Sequence, residues 1–92
     1  MIKIEVARVH VLNGTGNIRA FVDLSIEDSF VIKGVKVMEG EKGLYVAMPT
    51  EQGKDGRWYN VVIALSREVK DEVDRVVLEA LPGDIIQQGS PK

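Results

Sequence analysis

The chain has no cysteine, a single histidine, a single tryptophan and only three prolines in 92 residues. Without cysteine, neither a disulfide framework nor a thiolate metal site can form. His10 lies alone in an alternating apolar pattern, a poor nucleus for zinc, so no metal is expected. Long apolar runs are also missing. No stretch approaches the roughly 20 apolar residues that a membrane helix requires. Met1-Ile2-Lys3-Ile4-Glu5 interleaves charge with apolar side chains, where a secretory signal needs an unbroken apolar stretch. A soluble, cytoplasmic protein without membrane contact is the expectation. A basic charge balance is lacking too: 12 Lys and Arg against 14 Asp and Glu leave a net charge of −2. Neutralising phosphates supplies much of the affinity for nucleic acid, so this total argues against strong binding. It leaves room for a local basic face.

What is present is 45% hydrophobic and 28% charged residues, enough for one small core. Ile2, Ile4 and Val6 alternate with charged residues, and the apolar set changes parity at Ala7, Val9 and Val11. That change predicts a bulge in the first strand or a part of it buried on both sides. The cluster from Asn13 to Asn17 predicts a hairpin. Ile18, Ala20, Val22, Leu24 and Ile26 give an alternating second strand, closed by a turn at Glu27-Asp28-Ser29. Phe30 to Met38 reads as a third strand with Gly34 at a bulge or a close backbone approach, and Leu44 to Met48 as a fourth, ending at Pro49. Thr50 to Gly56 reads as an exposed loop, and Trp58 to Leu65 as a fifth strand.

The period then changes. Val69, Val73, Val76, Val77, Ala80 and Leu81 fall on one face of a helix, with Ser66 as N-cap and Pro82-Gly83 as the stop. Lys70–Asp74 and Asp71–Arg75 are opposite-charge pairs at i,i+4. The expected fold is α+β: an antiparallel sheet of about five strands with one C-terminal amphipathic helix. Residues 1–82 form a single domain in this reading, and residues 83–92 a tail.

Catalytic chemistry finds no support. No strand–turn–helix elbow surrounds a serine, so a Ser-His-Asp order fails. Gly14-Thr15-Gly16 precedes a strand rather than a helix, which favours a hairpin over a phosphate loop. Glu27-Asp28 and Glu39/Glu41 lack the ligand spacing of a calcium loop. No enzyme activity, cofactor or small-molecule substrate is expected. One stretch remains. Lys54, Arg57, Arg67, Lys70 and Arg75 are interleaved with Trp58 and Tyr59, a pattern that can follow a phosphate backbone and stack on bases. Glu51, Asp55, Glu68, Asp71, Glu72 and Asp74 share the stretch, so a solvated mixed-charge surface is the competing reading.

The run from Phe30 to Gly40, followed by Gly43-Leu44-Tyr45-Val46-Ala47-Met48-Pro49-Thr50, resembles the hallmark of the stage V sporulation protein G (SpoVG) family. Asp55-Gly56-Arg57-Trp58-Tyr59-Asn60 is similar to a further segment of that family. The resemblance covers roughly residues 1 to 81. It implies a dimeric regulator named for roles in septation and sporulation that binds DNA or RNA. Carried over by position, it implies nucleic-acid contacts at Thr50, Lys54 and Arg57 in the loop, and at Arg67, Lys70 and Arg75 on the helix. Two departures are visible. Glu51-Gln52 stands where the family commonly has Lys-Arg, and Ile63-Ala64 where relatives have His-Pro. The first should weaken phosphate attraction. The alternative is a protein-interaction module in cell-division control without nucleic-acid binding.

Overall fold

The computed structural model describes residues 2–12, 14 and 16–82. The proposed tail and Gly83 therefore lie outside the described residues. Four strands, β1 (Ile4–Val11), β2 (Ile18–Ile26), β3 (Phe30–Gly40) and β4 (Gly43–Ala47), form an antiparallel meander in the order β1-β2-β3-β4. At both positions where a bulge is one of two expected readings, a bulge is present. The β1–β2 register shifts between Val6 and Arg8, where the apolar parity changes. The β2–β3 register shifts between Val22 and Leu24, opposite Lys33 and Gly34. Gly34 adopts φ +87°, a left-handed conformation that side chains with a Cβ rarely take.

The turn between β2 and β3 has positive φ at both Glu27 and Asp28, with Ser29 N–H donating to the Ile26 carbonyl at 2.9 Å. Positive φ at both central residues matches the right-handed twist of a hairpin, but is unfavourable for non-glycine residues. Local bonds offset this cost. The Glu27 carboxylate accepts from Lys3 N–H at 2.5 Å, and Lys3 Nζ bonds the Asp28 carboxylate at 2.7 Å.

The helix α1 (Arg67–Glu79) starts as its sequence predicts: the Ser66 hydroxyl accepts from Val69 N–H at 3.1 Å, and Glu68 lies in the first turn. Val73, Val77 and Leu81 are buried against Ile4, Ala20, Val22, Leu24, Val35, Val37 and Val46, which share one face of the sheet. Ala80, expected on the apolar face, is the exposed C-cap, and Leu78 packs against the core instead. The helix therefore covers one side of the sheet and leaves the other open.

The fifth strand departs from expectation. Only Trp58–Asn60 is a strand (β6), and it pairs with β5 (Thr50–Gln52), inside the segment read as a loop. The two make a separate two-stranded ribbon, so the main sheet has four strands. The apolar alternation after Asn60 is real but forms no ladder among the described residues. Val62 and Ala64 turn inward beside Ile4, Leu24 and Val73, while Val61 and Leu65 face out, Leu65 at 97% exposure; Ile63, 65% exposed, borders the same cavity. Burying every second residue of an extended segment produces a strand-like pattern without a strand partner.

Candidate nucleic-acid interface

The ribbon positions half of the six candidate residues. Thr50 opens β5 opposite Asn60, Glu51 pairs with Tyr59, and Gln52 with Trp58. The tip between the strands is closed by backbone bonds: Gly53 N–H to the Arg57 carbonyl at 2.8 Å and Gly56 N–H to the Gly53 carbonyl at 3.0 Å. Gln52 Nε2 donates to the Gly56 carbonyl at 3.0 Å. The Tyr59 ring lies across Gly53, where an added Cβ would come within 2.8 Å of it, so a larger residue would displace the ring.

Asp55 is the one carboxylate on the tip, and local donors occupy it. It accepts from the Tyr59 hydroxyl and, at 3.0 Å, from Arg57 N–H. Those bonds, the tyrosine's first, hold its carboxyl below the ordinary range, and the same bond pushes the Tyr59 phenol up. With the folded pKa depressed, these contacts persist at neutral pH and are lost as pH falls through the lowered value. Replacing Tyr59 by Phe is expected to return Asp55 toward the ordinary carboxylate range in a side-chain carbon NMR titration. An unchanged titration would show that the hydroxyl does not hold the carboxylate.

With Asp55 so engaged, Lys54 and Arg57 are exposed cations that make no ion pair among the described residues, next to Trp58 at 66% exposure. Glu51 lies on the same ribbon and offsets part of their charge. Arg67 is likewise exposed without an ion pair among the described residues, at the first position of α1. A cation there opposes the helix dipole.

The other two candidates have partners within the helix. Lys70 Nζ is 2.5 Å from the Asp74 carboxylate and 3.3 Å from the Val46 carbonyl of β4, so it ties the helix to the sheet. Arg75 bonds Glu72 at 2.6 and 3.1 Å and Glu79 at 3.1 Å. The expected Asp71–Arg75 pair is replaced by these, because the guanidinium reaches two carboxylates at i−3 and i+4 together. The structure thus groups Thr50, Lys54 and Arg57 on one ribbon, sets Arg67 apart at the helix start, and neutralises Lys70 and Arg75 locally. Reading residues 50–56 as a loop missed the ribbon; Asp55-Gly56 between Thr50-Glu51-Gln52 and Trp58-Tyr59-Asn60 is the hairpin signal that marks it. Among the described residues no cluster of His, Asp and Glu could hold a metal ion, and no helix is long and apolar enough to cross a membrane.

Fold and surface define a class: a small α+β domain on a four-stranded antiparallel meander, with one covering helix and a projecting β-ribbon. Residues 1–82 match the SpoVG family, and the chain belongs to it. Its relatives include the "Putative septation protein SpoVG" of Archaeoglobus fulgidus, 41% identical over 80 residues that cover 87% of this chain and 94% of the relative. The protein of the same description from Lachnospira eligens is 38% identical over 73 residues, covering 79% and 83%. That of Heliobacterium modesticaldum is 34% identical over 73 residues, covering 79% and 82%.

Proposed function

We propose that this chain is a nucleic-acid-binding regulator of the SpoVG type, acting as a homodimer in septation and sporulation control. The observation that carries the reading is the ribbon tip. Lys54 and Arg57 project there without carboxylate partners among the described residues, while Asp55 is occupied by Tyr59 and the Arg57 backbone. A cationic tip beside an exposed indole suits a phosphate backbone with an unpaired base against the ring. Arg67 adds a third cation without an ion pair. Lys70 and Arg75 fit the role less well, since recruiting them would break ion pairs already made.

The homodimer is supported by Val61, Ile63 and Leu65, three exposed apolar side chains at alternate positions, at 53%, 65% and 97% exposure. Isolated apolar residues are ordinary on a surface, but a contiguous row marks a contact. A second copy of the chain buries it in this reading.

The test is fluorescence anisotropy with single- and double-stranded oligonucleotides across a salt series. Replacing Lys54, Arg57 and Arg67 by Ala is expected to weaken binding at low salt and flatten the salt dependence by about 0.7–0.9 in slope per lost phosphate contact. Absence of saturable binding at low salt by the parent protein sinks the reading.

A further inference from the structure

The sheet face turned away from the helix carries a feature that the ribbon does not explain. In register, His10 lies opposite Phe21, Phe21 opposite Lys36, and Lys36 opposite Ala47, a row crossing all four strands. The neighbouring row holds Arg8 opposite Asp23, with Lys33 Nζ 3.4 Å from the Asp23 carboxylate. Arg8, His10, Phe21, Asp23, Lys33 and Gly34 line a shallow open depression of about 370 Å³. On the other side of the row, Tyr45 is half exposed, its ring against Gly40.

Three permanent cations therefore face one carboxylate, and that carboxylate is paired with Lys33. Arg8 and Lys36 have no ion-pair partner among the described residues. Farther along β1, Glu5 is 3.6 Å from Lys3 and does not offset them. A chain of net charge −2 thus gathers a local positive excess, around an aromatic ring, on a sheet face that no described element covers. With strands about 4.8 Å apart, four make a platform roughly 14 Å wide. Sheets of this size elsewhere stack about two or three unpaired bases on aromatic side chains.

We infer that the open face of the β1–β4 sheet is a binding platform for single-stranded nucleic acid. Phe21 and Tyr45 stack on bases, and Arg8, Lys33 and Lys36 contact the phosphates. Paired bases cannot reach the rings, so the platform discriminates against duplex. The inference rests on the nucleic-acid reading above but places the strand on a different surface from the ribbon.

Full-length protein titrated against labelled oligo(dT) and the matching duplex, over a salt series, tests it. The double variant Arg8→Ala/Lys36→Ala is expected to lose at least tenfold in oligo(dT) affinity and about 1.4 in salt slope. Phe21→Leu should lose affinity with the slope unchanged. Tyr45→Leu, on a half-exposed side chain, serves as the stacking variant if melting shows that Phe21→Leu does not fold. Unchanged affinity and slope in the double variant overturn the platform. So does its conversion from dimer to monomer in sedimentation, which would show the face covered by a second copy. The two readings fail separately. Binding abolished by Lys54→Ala/Arg57→Ala, with Trp58 quenching and no effect of Arg8 or Lys36, removes the platform and keeps the ribbon. No oligonucleotide binding by the parent protein removes both.

Discussion

Leu24→Ala is expected to cost about 2–5 kcal/mol of folding stability, read as a lower urea midpoint with an unchanged slope. Leu24 is fully buried toward the C-terminal end of β2, between Val6 of β1 and Ile32 of β3. It also borders a cavity of about 150 Å³ with Ile4, Met48, Val62 and Val73. Removing its isopropyl group enlarges a space that both the sheet and the helix already fail to fill, so relaxation can recover little. A domain of this size has about 5–15 kcal/mol in total, and so the variant should be partly unfolded at modest urea. Lys33→Ala, on an exposed side chain, is the control and should stay within about 0.5 kcal/mol. A loss below 1 kcal/mol for Leu24→Ala would mean that helix and sheet close over the gap.

The second large effect concerns assembly. Ile63→Glu/Leu65→Glu is expected to weaken self-association by at least thirtyfold, the equivalent of about 2 kcal/mol, and to give a monomer in sedimentation velocity. Both side chains are largely exposed, at 65% and 97%, and Ile63 only borders the cavity beside Val62 and Ala64, so the monomer's fold should be preserved. Val62 and Ala64, which face the core, remain in place. Circular dichroism separates this outcome from unfolding. An unchanged association constant would remove the row from the dimer contact and leave the sheet edges at β1 and β4 as the remaining route for pairing.

Much of the architecture was legible because it depends on local periodicity. Strict alternation from Ile18 to Ile26 produced the central strand β2, whose Ala20, Val22 and Leu24 are all buried. The parity change at Ala7, readable as a bulge or as a part buried on both sides, is a bulge, since an extra residue must shift every later side chain to the opposite face. Ser66 and the 3.6-residue spacing marked α1 because caps and amphipathic stripes are properties of consecutive residues. Family membership was legible too, through the segment around Ala47-Met48-Pro49 and its neighbours.

The failures share a different cause. Trp58 to Leu65 alternates like one strand, but its first three residues pair with Thr50–Gln52, Val61 N–H donates to the Pro49 carbonyl at 3.1 Å, and the rest forms no ladder among the described residues. Alternation reports which side is buried, not which backbone supplies the hydrogen bonds. The candidate cations show the same limit. Lys54, Arg57, Lys70 and Arg75 are equivalent as letters, yet Asp74, Glu72 and Glu79 neutralise the latter two. Arg8 and Lys36 drew no attention in the sequence because 28 residues separate them; β-pairing through Phe21 brings them to one face.

By itself, then, the sequence determined the strand and helix periods, the bulges, the N-cap and the family, all written in neighbouring residues. The tertiary structure alone decided that the fifth strand leaves the sheet for a ribbon. It also decided which cations keep their charge unpaired among the described residues, and which sheet face stays open. Those outcomes depend on contacts between residues far apart in the chain, where charge and hydrogen-bond partners are assigned by packing rather than by order.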